Sequence, residues 1–215
     1  MTAGGDAGLA SSGYRCERAS SAHAEALLEL FESAGSGCFC NYWHFEGDKN
    51  AWLEQCYLHP QRNRDALLAQ LAAPELCGIV AIASASANQQ RTTRIAGWLK
   101  VTPAASVPRL YDQRVYRQLP AFAGERAGVF AVGCCFVAEE ERGQGVLREL
   151  VAAAPSIVAA AGGVAIEAFP RGAVADAEPL RPDEVWRGPE TLFVEQGFVA
   201  VSDFRPYPVL RLRLV

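Results

Sequence analysis

The chain has 215 residues, 50% of them hydrophobic and 20% charged, with a formal net charge of −4. That is material for one full hydrophobic core, not two large domains. The charge excludes the basic footprint of a nucleic-acid-binding surface, and no apolar run approaches the roughly 20 residues that cross a bilayer.

The first 13 residues are rich in Gly, Ala and Ser and lack the basic start and apolar stretch of a signal peptide, so they read as a frayed tail. Tyr14 to Ala19 is expected as a short strand. Ser20 or Ser21 then caps a helix in which Ala24, Leu27, Leu28 and Phe31 follow the spacing of one face, until Gly35 and Gly37 stop it. Residues 38 to 59 crowd cysteines and aromatics with weak periodicity. A second helix is expected from about Asn63 to Ala72, on a stripe of Leu67, Leu68 and Leu71. Leu76 to Ala83 and Arg94 to Val101 read as a hairpin across a polar turn. Thr102 to Ala127 reads as a long excursion with a helical turn near Pro108 to Gln113.

Val129 to Val137 is apolar on both faces and is expected at the centre of a sheet. A Gly-rich turn and a helix follow, with Val146, Leu147, Leu150, Val151 and Ala154 facing inward and Pro155 expected to kink or break it. Val164 to Phe169 is another buried strand. Residues 171 to 188 read as a loop, Pro189 to about Gln196 as a helix stopped by Gly197, and Phe198 to Phe204 with Val209 to Val215 as a closing antiparallel pair. That last strand is as well suited to pairing inside the sheet as across a dimer. The order describes a mixed α/β single domain over residues 14 to 215.

The chemistry concentrates where the apolar strand runs into Arg142-Gly143-Gln144-Gly145-Val146. A turn of this kind presents backbone N–H groups at a helix N-terminus and suits an anion. Gly143 and Gly145 allow close approach, and Arg142 adds a charge-assisted contact. The turn is not a dinucleotide fingerprint, because Arg148 stands where the next glycine belongs, and no Gly-Lys-Ser/Thr follows to make a P-loop. On spacing alone it is equally a surface turn before a helix.

Seven cysteines, an odd number, fit a reduced cytoplasmic setting better than a disulfide framework. Cys134 and Cys135 offer a nucleophile, but packing as small hydrophobes is the favoured reading. Cys38, Cys40, His44, Cys56 and His59 carry zinc-type donors at spacings that match no standard knuckle, and the interleaved aromatics favour packing or a pocket wall, so no metal is assigned.

An apolar strand, then Arg-x-x-Gly-x-Gly/Ala, then an amphipathic helix resembles the acetyl-CoA-binding motif of the GNAT (Gcn5-related N-acetyltransferase) superfamily. Leu147 departs from the motif's third small position. Leu192-Phe193-Val194-Glu195-Gln196-Gly197-Phe198 resembles the family's ending of its last helix. The chain also resembles a bacterial GNAT subgroup with an early Cys-x-Cys-x-x-Trp segment (Cys38 to Trp43), Glu-x-x-Pro (Glu167 to Pro170) and Trp-x-Gly (Trp186 to Gly188). The resemblance implies a central mixed β-sheet flanked by helices and acyl transfer from acetyl-CoA to a small-molecule or peptide amine in a ternary complex, by a monomer or homodimer.

The same resemblance implies that pantetheine pairs with the strand at Phe136 and Val137, like an added β-strand. The diphosphate would lie on Arg142 to Leu147, with Phe193 at the position where the family often has a proton-donating Tyr. Glu167 is the candidate general base, with an Arg-paired or backbone-capping carboxylate as its alternative. Tyr42, Trp43 and Trp186 are candidates for the acceptor pocket. Phe193 and Leu147 also keep open an acyl-CoA-binding domain without catalysis, and the Cys/His segment a zinc-stabilised structural protein.

Overall fold

The computed structural model describes residues 13–84, 93–172 and 185–214. The expected tail up to residue 12, most of the 84–93 turn, residues 173–184 of the expected loop and Val215 lie outside the described residues. The described elements are β1 (Tyr14–Arg18), α1 (Ala24–Ser33), α2 (Lys49–Leu58), α3 (Pro60–Ala72), β2 (Ile79–Ala83), β3 (Ile95–Pro103), α4 (Pro108–Tyr111), β4 (Val129–Val137), α5 (Val146–Ala160), β5 (Ala165–Ala168), α6 (Glu190–Glu195), β6 (Val199–Ser202) and β7 (Val209–Arg213), with short 3-10 turns between them. Seven strands share one sheet in the order β1-β2-β3-β4-β5-β7-β6. Only the β4–β5 pair is parallel.

The apolar run of β4 lies where its two-faced pattern requires, at the middle of the sheet. One face carries α5, which buries Val146, Leu150, Val151, Ala154 and Val158 against β1, β2 and β3. The other face carries α1 and α3, with Leu27, Phe31, Leu67, Leu71 and Trp98 in a second core. A third core, around Trp43, Tyr116 and Phe169, sits under the 104–122 excursion. Gly97 on β3 is the residue that lets α5 lie close, because a Cβ there would meet Val146 Cγ1 at 2.7 Å and Leu150 Cδ1 at 3.1 Å.

Three departures from the sequence reading are local. Residues 49–58 form a helix that the weak periodicity hid, because among its residues only Trp52 is buried while Asp48 supplies the N-cap, accepting from Ala51 N–H at 2.9 Å. The following helix begins at Pro60, a first-turn proline, rather than near Asn63. Pro155 does not break α5, and the helix runs through it to Ala160. Pro155 sits between the buried Ala154 and the exposed Ser156, at the margin of the helix's inner face. The closing strand β7 pairs inside the sheet, between β5 and β6.

The feature that matters for function is how β4 parts from its neighbour. β5 pairs with β4 over three residues only, Val129 to Ala131. Just beyond, the β3–β4 register shifts: Lys100 faces Cys134 but Val101 faces Val132, so Gly133 has no opposite number. This is a β-bulge, which bends a strand and re-aims its side chains. The Trp43 indole N–H donates to the Gly133 carbonyl at 2.9 Å. Glycine keeps the space tight there, since a Cβ would meet Trp43 Cδ1 at 3.0 Å and Lys100 Cγ at 3.3 Å and these side chains would have to give by a few tenths of an ångström.

Replacing Gly97 with Ala forces α5 away from the sheet. Overpacking of this kind costs about 2 kcal/mol. A urea unfolding curve of Gly97→Ala should show that loss, and an unchanged midpoint would mean that α5 is not seated through this glycine.

Candidate functional site

The cavity opens where β4 has left β5. A hollow of about 970 Å³ is walled by Cys134 to Ala138 of β4, by Phe31 and Ala34 at the end of α1, by Cys38 and Cys40, and by Val185, Trp186 and Pro189. A second hollow of about 330 Å³ lies on the Gly-rich turn and reaches Thr191, Leu192 and Glu195 of α6. The two share Val137, Arg142, Leu147 and Pro189, so they form one continuous groove along the edge of β4 and over the turn.

The turn is built as an anion cradle. Gly143 (φ 75°) and Gly145 (φ 83°) both take the left-handed conformation that favours glycine. A Cβ at either position would meet nothing within 4 Å, so the space above them is open. Gly145 is the N-cap of α5 and offers no side chain, which leaves the first N–H groups of the helix facing the groove. Arg142 is exposed and lines both hollows, Val146 anchors the turn from below, and Leu147 forms part of the wall. Gln144 is exposed and lies outside both linings. The acidic rim is largely paired. Glu195 holds Arg148 at 2.6 Å, and Glu141 holds Arg94 and accepts from the Tyr14 hydroxyl at 2.5 Å. The Tyr14 hydrogen bond, ahead of Arg94, keeps the Glu141 carboxyl below its usual range.

Strand alternation decides which backbone groups of β4 face the groove. Ala138 N–H donates to Ala96 on β3 at 2.9 Å, so Phe136 and Cys134 also turn their N–H groups towards β3, and Cys135 and Val137 turn theirs away. Cys135 N–H is already engaged, donating to the Trp186 carbonyl at 2.6 Å. Trp186 thus lays a piece of backbone along the edge of β4. It is held there by its ring, stacked on Trp43 at 5.7 Å, and by the Arg187 guanidinium, which lies 4.9 Å from the Trp43 ring and 4.8 Å from the Trp186 ring.

The three expected pocket aromatics come together, but at different depths. Trp186 lines the cavity, Trp43 packs behind it, and Tyr42 meets Trp43 edge-on at 4.6 Å beneath the Arg109 guanidinium. Phe193 is fully buried against Phe198 and beneath Gly188, outside both hollows, so it braces the groove and does not touch its contents. This corrects its expected place among cofactor-contacting residues.

Glu167 is also corrected by its surroundings. It faces Ala131 across the β4–β5 pair, five residues from Phe136, or roughly 15 Å along the strand. Its carboxylate is fully buried and accepts from Arg126 (2.7 and 3.1 Å), from Arg211 (2.6 and 2.9 Å) and from the Tyr111 hydroxyl (2.7 Å). Five hydrogen bonds leave no lone pair for a substrate proton. Glu167 instead ties β5 to β7 and to the excursion, and burial followed by the carboxylate's charge raises the Tyr111 phenol. The partners Arg126 and Arg211 are 41 and 44 residues away, so the alternative of an Arg-paired carboxylate was visible in the sequence while the partners were not.

A buried amine was missed. Lys100 is 1% exposed, on a strand otherwise apolar around it, and its ammonium group bonds Gln70. Among the described residues it has no carboxylate partner. Burial lowers its pKa, opposed by its thiol neighbours Cys77, Cys40 and Cys134. The signal was a single charge inside Ile95 to Val101. His44 lies nearby with its Nε2 unpartnered, and burial, then Lys100, lowers it to about 3. The backbone at Phe39 (φ 42°) and Cys40 (φ 52°) is left-handed at two successive non-glycine residues, a conformation that costs on the order of 1 to 3 kcal/mol at each. Among the described residues, no three His, Cys, Asp or Glu side chains group to hold a metal ion.

No protein-family model and no curated protein sequence matches the chain. Solved structures do. The GNAT domain of S. lividans PAT superposes with a TM-score of 0.52 at 14% identity, over 94% of this chain and 90% of that one. A GCN5-related N-acetyltransferase from Kribbella flavida gives 0.51 at 14% identity, over 95% and 100%. The fold is that of the GNAT acyltransferases. The protein yncA from Salmonella typhimurium, solved with its cofactor acetyl-CoA, gives 0.50 at 11% identity, over 94% and 95%. In this GNAT fold the described groove runs from the open edge of β4 to the glycine turn that begins α5.

Two outcomes follow from the buried groups. Glu167→Gln leaves two guanidinium groups facing a neutral partner and should cost about 3 kcal/mol of stability in urea unfolding. A loss near zero would show that the cluster does not hold the sheet edge together. His44 is disfavoured as a cation in the folded chain, so its contribution is complete above its ordinary 6.5 and is lost as the pH falls towards about 3. Between pH 6 and 4 the wild type should lose about 1 kcal/mol per pH unit more than His44→Gln. Parallel curves would mean that His44 is not buried neutral.

Proposed function

We propose that the chain is an N-acyltransferase that moves an acetyl or other acyl group from an acyl-CoA donor to a primary amine. The observation that supports this best is the continuous groove joining an open stretch of the β4 edge to a two-glycine turn at a helix N-terminus. One end offers strand-type hydrogen bonds to an extended amide chain, and the other offers N–H groups and Arg142 to a diphosphate. The yncA structure holds acetyl-CoA on the same fold.

In this reading the pantetheine arm lies along β4 between Phe136 and Val137, with the diphosphate over Gly143 to Leu147. Val137 N–H, turned away from β3, is the strand's remaining donor beside the cavity and would stabilise the developing oxyanion. The acceptor amine enters from the α1 side, past Trp186 and the Cys38–Cys40 segment. Its nitrogen bonds to the thioester carbon, the carbon–sulfur bond breaks, and one amine proton ends on the CoA thiol. Phe193 supplies no phenol for that proton, and Glu167 is committed to its arginines. A second reading, donor binding without turnover, is favoured by one contact: the Trp186 carbonyl already occupies Cys135 N–H.

Calorimetric titration with acetyl-CoA, alongside dephospho- and desulfo-analogues, tests the donor site. Micromolar binding is expected. Gly145→Trp should weaken it at least tenfold, about 1.4 kcal/mol, without altering the far-ultraviolet circular dichroism. No binding by the wild type would remove the reading. Binding with no turnover across a panel of amines would leave the sensor reading in its place.

A further inference from the structure

Three thiols lie in a row on the wall of the larger cavity. Cys40 Sγ approaches Cys134 Sγ to 2.9 Å, although the residues are 94 positions apart and belong to different elements. That gap exceeds the ~2.05 Å of a sulfur–sulfur bond by only about 0.9 Å. Cys38 adjoins Cys40 on its other side, and all three line the cavity. Cys40 is buried, whereas Cys134 and Cys38 are half-exposed. All the described cysteines are free thiols.

The approach is not what ordinary packing would deliver. The 38–41 segment reaches Cys134 through two successive left-handed residues, Phe39 and Cys40, neither of them glycine. Strained backbone of this kind clusters at functional sites. Behind the pair stands Lys100, opposite Cys134 in the β3–β4 register and without a carboxylate among the described residues. Burial pushes the Cys40 thiol well above its ordinary value, and the Lys100 amine acts against that rise.

We infer that Cys40 and Cys134 form a redox-active dithiol that closes to a disulfide when a low-molecular-weight disulfide enters the cavity. The Cys134 sulfur, the accessible one of the pair, attacks one sulfur of the incoming disulfide. A mixed disulfide forms on Cys134, and the other half leaves as a thiol with the proton that Cys134 gave up. Cys40 then attacks Sγ of Cys134 and expels the second half as a thiol, which takes the proton of Cys40. Two protein thiols are oxidised and one small disulfide is reduced to two thiols. The closed bridge fixes the 38–41 segment to β4 one residue before Cys135, on the side from which the cavity opens.

The test is to treat reduced protein with oxidised glutathione, then to alkylate it and map its peptides by mass. The expected product carries no glutathione on this pair and yields the Cys40 and Cys134 peptides joined. Cys40→Ser should stop the reaction at the first step, with one glutathione retained on Cys134. Three outcomes would overturn the inference: a stable glutathione adduct on wild-type Cys134, a bridge joining Cys38 to Cys40, or no reaction at either sulfur while the unfolded chain reacts. The wild-type map decides the matter even if the variant does not fold.

Discussion

A parallel pair of strands that share three residues and then separate is an unfinished piece of sheet. Backbone groups exposed in this way must find partners, and the groups that supply them determine the character of the site. Here the separation is built from both sides. On the β4 side, the bulge at Gly133 is pinned by the Trp43 indole. On the β5 side, Glu167, the last residue paired with β4, gives its carboxylate to Arg211 of β7 and to Arg126 and Tyr111 of the excursion. Beyond the paired residues, the edge of β4 from Cys134 onward lines the cavity.

This arrangement gives two buried charged side chains, Glu167 and Lys100, complementary duties. The Glu167 cluster is saturated and therefore rigid, which suits a hub that holds three separate chain segments. The Lys100 environment is the opposite: one amide partner, three thiols and a neutral imidazole nearby. Saturated groups hold shape, and under-partnered ones remain available for chemistry.

The sequence carried the long-range plan well where periodicity is strong. The strand at 129–137, its glycine turn and the following helix emerged with nearly the observed bounds, because their pattern is local and their glycines answer to a local conformational need. The turn from Arg142 to Leu147 is local in the same way, and all of its residues but Gln144 line the groove. The helix at 49–58 was hidden because a helix that buries one residue leaves no stripe to read. Glu167 was misassigned because its partners come from other strands and loops. Phe193 was placed by motif position, whereas burial decided its part. The closeness of Cys40 and Cys134 depends on two positive φ angles and a bulge, neither of which a side-chain pattern records.

The Tyr14 hydroxyl bonds Glu141, one residue before Arg142, from the first position of β1. The first position of β1 and the glycine turn are therefore joined through the Tyr14 side chain. Mechanical disturbance of β1, by an appended tag, a binding partner or proteolytic trimming, would be transmitted to the turn through this hydrogen bond as well as through the core against which Tyr14 packs. The position of β1 is in this sense part of the groove's architecture.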